Sequence, residues 1–468
     1  MQRIASYVII GGLSCQLLPV WLGEGMRWGA AAGAVVAFLA SLCSTGTMLG
    51  FLLCTCLVPL SEEWAPQLRC LVVVICVYSL RIIVIPPSPL QQLFNRVHNQ
   101  SGVPRRWLFA MLAFATIVLI FALATVRDDF GRERLWDTVR GIMSGLLIFV
   151  LAFHALKDAE ARQFQLHLVL PCILLGSVYL YSLYFLDLCG QRETNASGVQ
   201  AELLTRIMPR HGDPNGAGMV SAFAAALAMA AFITASTRLA YFFRLTVFVA
   251  AAGCAVGSGS RGATVGLAAA ALVGLLLAGA KVQTFLTRFL IPSMVCACAL
   301  LLLAQRTELS CFERLQAAAA NAADSNYDGL TTHRITIQGL YWDRLLASNG
   351  IGTGFDYSAL IKELGTAPVA HNTWLQVISD FGLIGFLSLL AIAYPSLRVL
   401  GHSVLQSAVT TRSLIKPDAF WASVALGTVV VFVTTLSLTS IFEMVFWWPL
   451  GVSPALLYWS DARTAFNA

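Results

Sequence analysis

The segment LFAMLAFATIVLIFALATV (residues 108–126) is an unbroken run of uncharged, mostly apolar residues. A helix of about 20 apolar residues spans the hydrocarbon core of a bilayer, so this segment predicts a transmembrane helix. GATVGLAAAALVGLLLAGA (residues 262–280) has the same character. Over all 468 residues, 58% are hydrophobic and only 12% are charged, whereas soluble domains carry about 25% charged residues. The chain is therefore expected to be an integral membrane protein.

Similar apolar runs along the chain predict roughly fourteen spans, or about twelve if the short early runs merge. The expected fold is an all-α, polytopic transmembrane helical bundle. We expect membrane helices with short loops over residues 1–305, a large loop with amphipathic helices over 306–370, and further membrane helices over 371–468. The predicted spans lie near residues 5–22, 28–43, 45–60, 70–86, 107–126, 138–156, 165–187, 216–236, 240–257, 261–279, 285–305, 371–394, 418–440 and 443–459.

Lysine and arginine collect in every second loop, which predicts that these loops face the cytoplasm. Both termini then lie inside, and the 306–370 loop lies outside. The net charge of +6 is dispersed among these loops, so we expect membrane lipids and no nucleic acid among the partners. Cys189 and Cys311 both adjoin outward loops, and a disulfide between them is compatible with this topology.

Three helix starts are predicted on the outer side. Asp213 followed by Pro214 is a typical N-cap and first helical residue. Ser258 and Ser260 are N-cap candidates next to Arg261. HNTWLQ (residues 371–376) opens the span after the large loop and places His371 in its first turn.

Helix N-termini attract anions, and several arginines lie on the predicted outer side against the usual charge rule. Because arginine binds phosphate oxygens in a bidentate way, their convergence predicts a phosphate or diphosphate site. Lipid headgroups are the alternative ligands for Arg206 and Arg344. The sequence has no H-E-x-x-H, no paired Cys–His spacing and no D-x-D, so we expect no metal and no cofactor. The outward arginines are Arg206, Arg210, Arg261, Arg334 and Arg344.

His371 suits the role of a general base at this site. We expect an imidazole beside a helix start and arginines to stay neutral at pH 7, and thus able to accept a proton from a hydroxyl. A nearby diphosphate is a competent leaving group once its charge is stabilised. This combination predicts glycosyl transfer from a polyprenyl diphosphate sugar. GIGTGF (residues 350–355) is interpreted as a turn rather than a phosphate-binding loop.

Several motifs resemble the O-antigen ligase and O-antigen polymerase superfamily. They are SGSRGATVGL (258–267), HRITIQGLYWDRLLASNGIGTGF (333–355) and HNTWLQVISDFGLIGF (371–386), with a similar Asp-Pro-Asn at 213–215. The resemblance covers mainly residues 206–390. It implies an inverting, metal-independent transferase of the GT-C type in the bacterial inner membrane, with its site facing the periplasm. The donor would be an undecaprenyl diphosphate-linked glycan, and the acceptor lipid A–core or another glycan.

The resemblance also implies roles for individual residues. Arg261 and Arg334 would bind the diphosphate, with Arg210 as an additional candidate, and His371 would deprotonate the acceptor hydroxyl. Ser260, Asn372 and Arg206 are supporting candidates. These roles place the catalytic and donor-binding groups at the outer ends of the spans.

Ligase and polymerase share these motifs, and we favour the ligase. The short sequence after the last predicted span disfavours the protein O-oligosaccharyltransferase branch. A lipid or glycan transporter or flippase is the alternative of a different class. Such folds usually contain internal repeats and interrupted helices near the bilayer midplane. The Ser-Arg-Gly and His-Asn segments are not repeated in the other half of the chain, which favours the enzyme.

Overall fold

The computed structural model describes residues 2–14, 39, 45–57, 102–157, 159–185, 214–233, 235, 237–278, 334–364, 369–409, 418–439 and 444–467. Within these ranges the regular structure is helical and no strand is present. We label the helices α1 Gln2–Ser14, α2 Thr45–Leu57, α3 Val103–Thr125, α4 Asp129–Ala155, α5 Ala159–Phe185, α6 Pro214–Ile233, α7 Arg238–Gly257, α8 Arg261–Ala278, α9 Arg334–Ala347, α10 Ser358–Leu364, α11 Thr373–Val409, α12 Ala419–Thr435 and α13 Met444–Asn467.

The prediction of an all-α, multi-pass membrane protein is confirmed. Six helices of the described part are long and apolar enough to cross a bilayer: α3, α4, α5, α6, α7 and α11. Shorter apolar helices occur in α2, α8 and α12. Helices satisfy their own backbone hydrogen bonds, which the hydrocarbon core requires of a spanning segment. The spans predicted near 70–86 and 285–305 lie outside the described residues, as do Cys189, Cys311 and, apart from residue 39, the span predicted near 28–43.

Helix α6 is the central helix of the bundle. Its buried residues run almost without a break from Ala217 to Phe232, whereas the peripheral α3 buries only about every third or fourth residue. Small residues fill α6 and allow close approach of neighbouring helices, as is usual in membrane bundles. For example, a β-carbon added at Gly218 would lie 2.7 Å from Cβ of Ser260, in the turn before α8. The description of α6 begins at Pro214, the predicted first helical residue, while its predicted N-cap Asp213 lies outside the described residues.

The bundle has two ends that are distinguished by their contacts. At one end, here called the site end, the NH of Phe355 donates to Oγ1 of Thr125 at the end of α3. Helix α12 also finishes there, since the turn that follows it contacts the starts of α9 and α11. At the opposite end, Arg162 of α5 pairs with Asp418, the N-cap of α12. Helix α12 therefore separates the two ends by about 25 Å, given its 17 residues and 1.5 Å per residue.

Helix α9 lies in the predicted large loop, where helical spacing makes Ile335, Leu340, Trp342 and Leu345 available for one face. In the structure Tyr341, Arg344 and Leu345 are buried, while Ile335 and Trp342 are 47% and 51% exposed. The face of α9 that packs on the bundle therefore includes Arg344 of a buried ion pair, while two of the four apolar residues stay exposed.

Helix α11 is interrupted at Gly382, which has φ 65° and ψ −170°. The turn at residues 350–354 supplies backbone partners there. The NH of Gly354 donates to the carbonyl of Asp380 (2.7 Å), and the NH of Leu383 donates to the carbonyl of Gly350 (3.1 Å). A β-carbon on Gly382 would collide with the carbonyl of Ile351. The glycine-rich stretch is thus a turn that clamps the kink in α11.

Candidate active site

The turn formed by residues 436–439, which follows α12, brings two other helix starts together. We call it the junction turn. Nη1 of Arg334, the first residue of α9, donates to the carbonyl of Ser437 (2.6 Å). Oγ1 of Thr373, the first residue of α11, donates to the carbonyl of Leu438 (2.8 Å). Adjacent carbonyls of one turn therefore bind the starts of α9 and α11.

The start of α8 contacts the same turn. Gly262, the second residue of α8, lies so close to Ser437 that an added β-carbon would collide with the Ser437 hydroxyl oxygen. One turn further along α8, a β-carbon on Gly266 would lie 3.3 Å from the carbonyl of Val430 in α12. Glycine at these positions lets α8 approach α12 closely. Arg261 is consequently fixed beside the junction turn.

Ser260 supports this helix start, as predicted for an N-cap. Its Oγ accepts a hydrogen bond from the NH of Ala263 (3.4 Å). Ser258 stabilises the preceding turn, since its Oγ accepts from the NH of Ser260 (3.2 Å) and donates to the carbonyl of Ala255 (2.7 Å). Ser260 is 5% exposed, so its position suits helix capping.

His371 lies two residues before α11 rather than in its first turn, which corrects the sequence-based placement. Asn372 is the N-cap, and its Oδ1 accepts from the NH groups of Trp374 and Leu375, both at 3.0 Å. His371 itself has φ 51°, in the left-handed region that few non-glycine residues adopt. Its Nδ1 is buried in the protein. The imidazole therefore stands at the positive end of the α11 helix dipole.

Aromatic contacts fix the start of α11 against the end of α12. The indole ring of Trp374 stacks on Phe432, with ring centroids 5.5 Å apart. Its Nε1 donates to Oγ1 of Thr435 (3.0 Å). These contacts and the Thr373 bond hold His371 in a constant position relative to the junction turn.

The structure thus brings the elements that carry three of the predicted site residues to one place. Arg261, Arg334 and His371 lie at, or immediately before, the starts of α8, α9 and α11, and all three starts adjoin the junction turn. Asn372 and Ser260 cap two of these helices. Arg206 and Arg210, the remaining predicted site residues, lie outside the described part of the chain.

Sequence reasoning missed a buried polar network next to this site. Arg344 of α9 is 7% exposed and Asp380 of α11 is 3% exposed. Nη1 of Arg344 lies 3.3 Å from Oδ1 of Asp380, and Nη2 donates to Oγ1 of Thr353 and to the carbonyl of Asp356. Its guanidinium also lies 4.8 Å from the ring centroid of Tyr357. The alternative in which Arg344 contacts lipid headgroups is therefore wrong.

The second oxygen of Asp380 continues the network towards His371. It accepts from the hydroxyl of Tyr357 (2.9 Å) and from Nε2 of Gln376 (2.5 Å). Oε1 of Gln376 in turn accepts from the NH of Ala370 (3.0 Å), the residue before His371. An aspartate within the apolar run that follows His371 was the available signal, because charged residues in membrane segments are usually paired and functional.

Two groups in the loop between α9 and α11 have shifted pKa values. Hydrogen bonding from Ser358 lowers the pKa of Asp356, an effect that partial burial opposes. Desolvation raises the pKa of Tyr357 well above its usual value, and the charge of Asp380 adds to this shift. Tyr357 is therefore a hydroxyl donor to Asp380 at any physiological pH. Among the described residues, no group of three or more His, Cys, Asp or Glu side chains could hold a metal ion.

Fold and site together define a multi-pass α-helical membrane protein in which two arginines and a histidine lie at helix starts on one end. Residues 245–390 match the family model described as O-Antigen ligase, which confirms the resemblance drawn from the motifs. The matched region includes Arg261, Arg334 and His371. The match suggests a glycosyltransferase of the O-antigen ligase or polymerase type, and that family implies lipid-linked glycan and a glycan acceptor as substrates. Among curated proteins, none matches this chain.

Proposed function

We propose that the protein is an inverting, metal-independent glycosyltransferase of the bacterial inner membrane. It transfers a glycan from undecaprenyl diphosphate to an acceptor sugar hydroxyl at the periplasmic face, and it acts as an O-antigen ligase that joins O-antigen to lipid A–core. The observation that supports this proposal is the convergence of three helix starts on the junction turn. These starts carry Arg261, Arg334 and His371.

In the proposed reaction, the imidazole of His371 takes the proton of the acceptor hydroxyl. The hydroxyl oxygen forms a bond to the anomeric carbon of the donor from the face opposite the diphosphate. The bond between that carbon and the diphosphate oxygen breaks, and its electron pair leaves with the lipid diphosphate. Attack from the opposite face inverts the anomeric configuration.

Arg261 and Arg334 are proposed to bind the diphosphate. A guanidinium stays charged at any physiological pH and can donate two parallel hydrogen bonds to phosphate oxygens. The α8 N-terminus adds backbone NH groups and a partial positive charge to the same place. These groups stabilise the negative charge that develops on the leaving oxygen.

Reconstitution tests the proposal directly. Purified protein in liposomes receives undecaprenyl diphosphate-linked glycan and either lipid A–core or a second lipid-linked repeat as the acceptor. The ligase is expected to yield a product with the combined mass of glycan and lipid A–core. A lengthened lipid-linked glycan would identify the polymerase instead. Movement of labelled donor lipid across the bilayer without any transfer would overturn the enzyme and favour a transporter.

The rate in EDTA tests the proposed metal independence. If arginines rather than a divalent cation stabilise the diphosphate, the initial rate is expected to be the same with and without EDTA. Repeating the assay with added Mg²⁺ provides the control for chelator effects on the liposomes. A rate that EDTA abolishes and Mg²⁺ restores would contradict the proposed role of Arg261 and Arg334.

A further inference from the structure

A buried glutamine connects the ion pair of Arg344 and Asp380 to the backbone that precedes His371. Gln376 is 3% exposed, and both ends of its amide are hydrogen bonded. Oε1 accepts from the NH of Ala370, and Nε2 donates to Oδ2 of Asp380. We propose that Gln376 and Asp380 are positioning residues that hold His371 in its active placement. This inference rests on the proposed role of His371 as the base.

The backbone of His371 needs such support. A non-glycine residue in the left-handed region is strained, and it persists only where the surrounding structure determines its conformation. On its C-terminal side, the Asn372 cap fixes the chain against α11. On its N-terminal side, the bond from the NH of Ala370 to Gln376 fixes the chain against the same helix. The two attachments together determine the backbone at His371.

Asp380 sets the direction of the Gln376 amide. Nη1 of Arg344 lies 3.3 Å from Oδ1 of Asp380 and favours the ionised carboxylate, which accepts hydrogen bonds and cannot donate them. Nε2 of Gln376 must therefore face Asp380, which turns Oε1 towards the NH of Ala370. Asp380 is itself held by Arg344 and by the hydroxyl of Tyr357. The amide thus has one stable orientation, and that orientation is the one that tethers Ala370.

Helix α9 links this network to the proposed donor site. Arg334, at its start, binds the junction turn, and Arg344, near its end, binds Asp380. The two arginines are ten residues apart in one helix, or about 15 Å at 1.5 Å per residue. A single rigid element therefore carries a diphosphate-binding arginine and also anchors the residues that position the base.

The test substitutes Gln376→Leu, which keeps the approximate size of the side chain and removes its three hydrogen bonds, from the NH of Ala370 and to Asp380 and the Tyr357 hydroxyl. We expect kcat to fall at least about tenfold, because small misplacement of a catalytic group costs up to about a hundredfold. KM for the lipid-linked donor is expected to stay within about twofold, since Arg261 and Arg334 are unchanged. Gln165→Leu is the matched control: Gln165 is also a buried glutamine, 1% exposed, whose Nε2 donates to the carbonyl of Gly46. This control is expected to leave kcat unchanged.

A second readout does not depend on transfer activity. Diethyl pyrocarbonate modifies accessible imidazoles, and peptide mass spectrometry reports the rate at His371 alone. We expect Gln376→Leu to raise this rate several-fold and Gln165→Leu to leave it unchanged. An unchanged modification rate in Gln376→Leu would overturn the positioning role. If the wild-type protein transfers no glycan, the proposed function fails, yet the modification rate still decides whether Gln376 positions His371.

A double variant separates positioning from general stability. If Gln376 acts through His371, its removal has no further effect once the imidazole is absent, so Gln376→Leu/His371→Ala should retain the residual rate of His371→Ala. Independent losses that multiply in the double variant would overturn the proposal. Thermal unfolding in detergent, measured for each variant, verifies that the compared proteins are folded.

Discussion

Two arginine–aspartate pairs lie at opposite ends of the bundle and have different surroundings. The first pair, Arg162 and Asp418, lies at the end opposite the candidate site. Nη1 of Arg162 also donates to the carbonyl of Leu156, the C-cap of α4, and Asp418 caps α12. The side chains of Arg162 and Asp418 are 11% and 32% exposed, whereas those of the second pair, Arg344 and Asp380, are 7% and 4% exposed. The first pair joins helix ends to one another.

The pair at the site end serves a different purpose. Asp380 accepts a hydrogen bond from Gln376, which in turn accepts one from the NH of Ala370, the residue before His371. Arg344 lies on the helix that starts with Arg334. The same chemical pair therefore closes helix ends at one end of the bundle and supports strained backbone at the other. An ion pair therefore points to a functional site only when the groups that it contacts belong to that site.

The largest effect is expected from His371→Ala. Removing a general base typically lowers the rate about 10²–10⁴-fold, while the fold should persist because the Asn372 cap remains. The measurement is kcat with undecaprenyl diphosphate-linked glycan and lipid A–core in liposomes. Arg162→Lys, at the opposite end, provides the comparison and is expected to keep the wild-type kcat. A His371→Ala protein that is folded and fully active would remove the base from the proposed mechanism.

Breaking the Arg344–Asp380 pair is expected to lower the free energy of unfolding more than breaking the Arg162–Asp418 pair. Asp380→Asn leaves the buried charge of Arg344 without its partner, which typically costs about 3–5 kcal/mol of unfolding free energy. Asp418→Asn affects a more exposed pair and preserves the helix cap, so it is expected to cost less than Asp380→Asn. Thermal unfolding in detergent compares the stability of both variants with that of the wild type. Equal losses would show that burial does not distinguish the two pairs.

The same comparison shows what could be predicted from the sequence. Long apolar runs identified the membrane helices, because the bilayer requires both their length and their composition. The starts at Pro214 and Arg261 followed from local capping chemistry, and the motifs identified the O-antigen ligase resemblance. These features depend on residues that are close together in the chain.

The partners of Arg344 could not be predicted in this way. Asp380 is 36 residues away, and their contact depends on how α9 packs against α11 after the kink at Gly382. From the sequence alone, lipid headgroups are therefore an alternative ligand for Arg344. Likewise, the left-handed conformation of His371 depends on the tether from Gln376 to Ala370, which only the folded backbone reveals.

The smallest effect is expected when arginine at the proposed donor site is replaced by lysine. Arg261→Lys and Arg334→Lys retain the positive charge but lose the planar fork that binds two phosphate oxygens. Hydrogen bonds to charged groups are worth about 1.5–3 kcal/mol, and about 1.4 kcal/mol corresponds to a tenfold change in affinity. KM for the donor should therefore rise roughly tenfold in either variant, with a smaller change in kcat.

Arg162→Lys controls for the general effect of this substitution, because Arg162 also bonds a backbone carbonyl but lies at the end of the bundle without His371. Its KM for the donor is expected to equal that of the wild type. If all three variants raise KM alike, the loss reflects arginine packing in general. If only the site-end variants do so, diphosphate recognition belongs to the helix starts at the junction turn. An unchanged KM in Arg334→Lys would indicate that Arg334 serves the junction turn alone, through its bond to the Ser437 carbonyl.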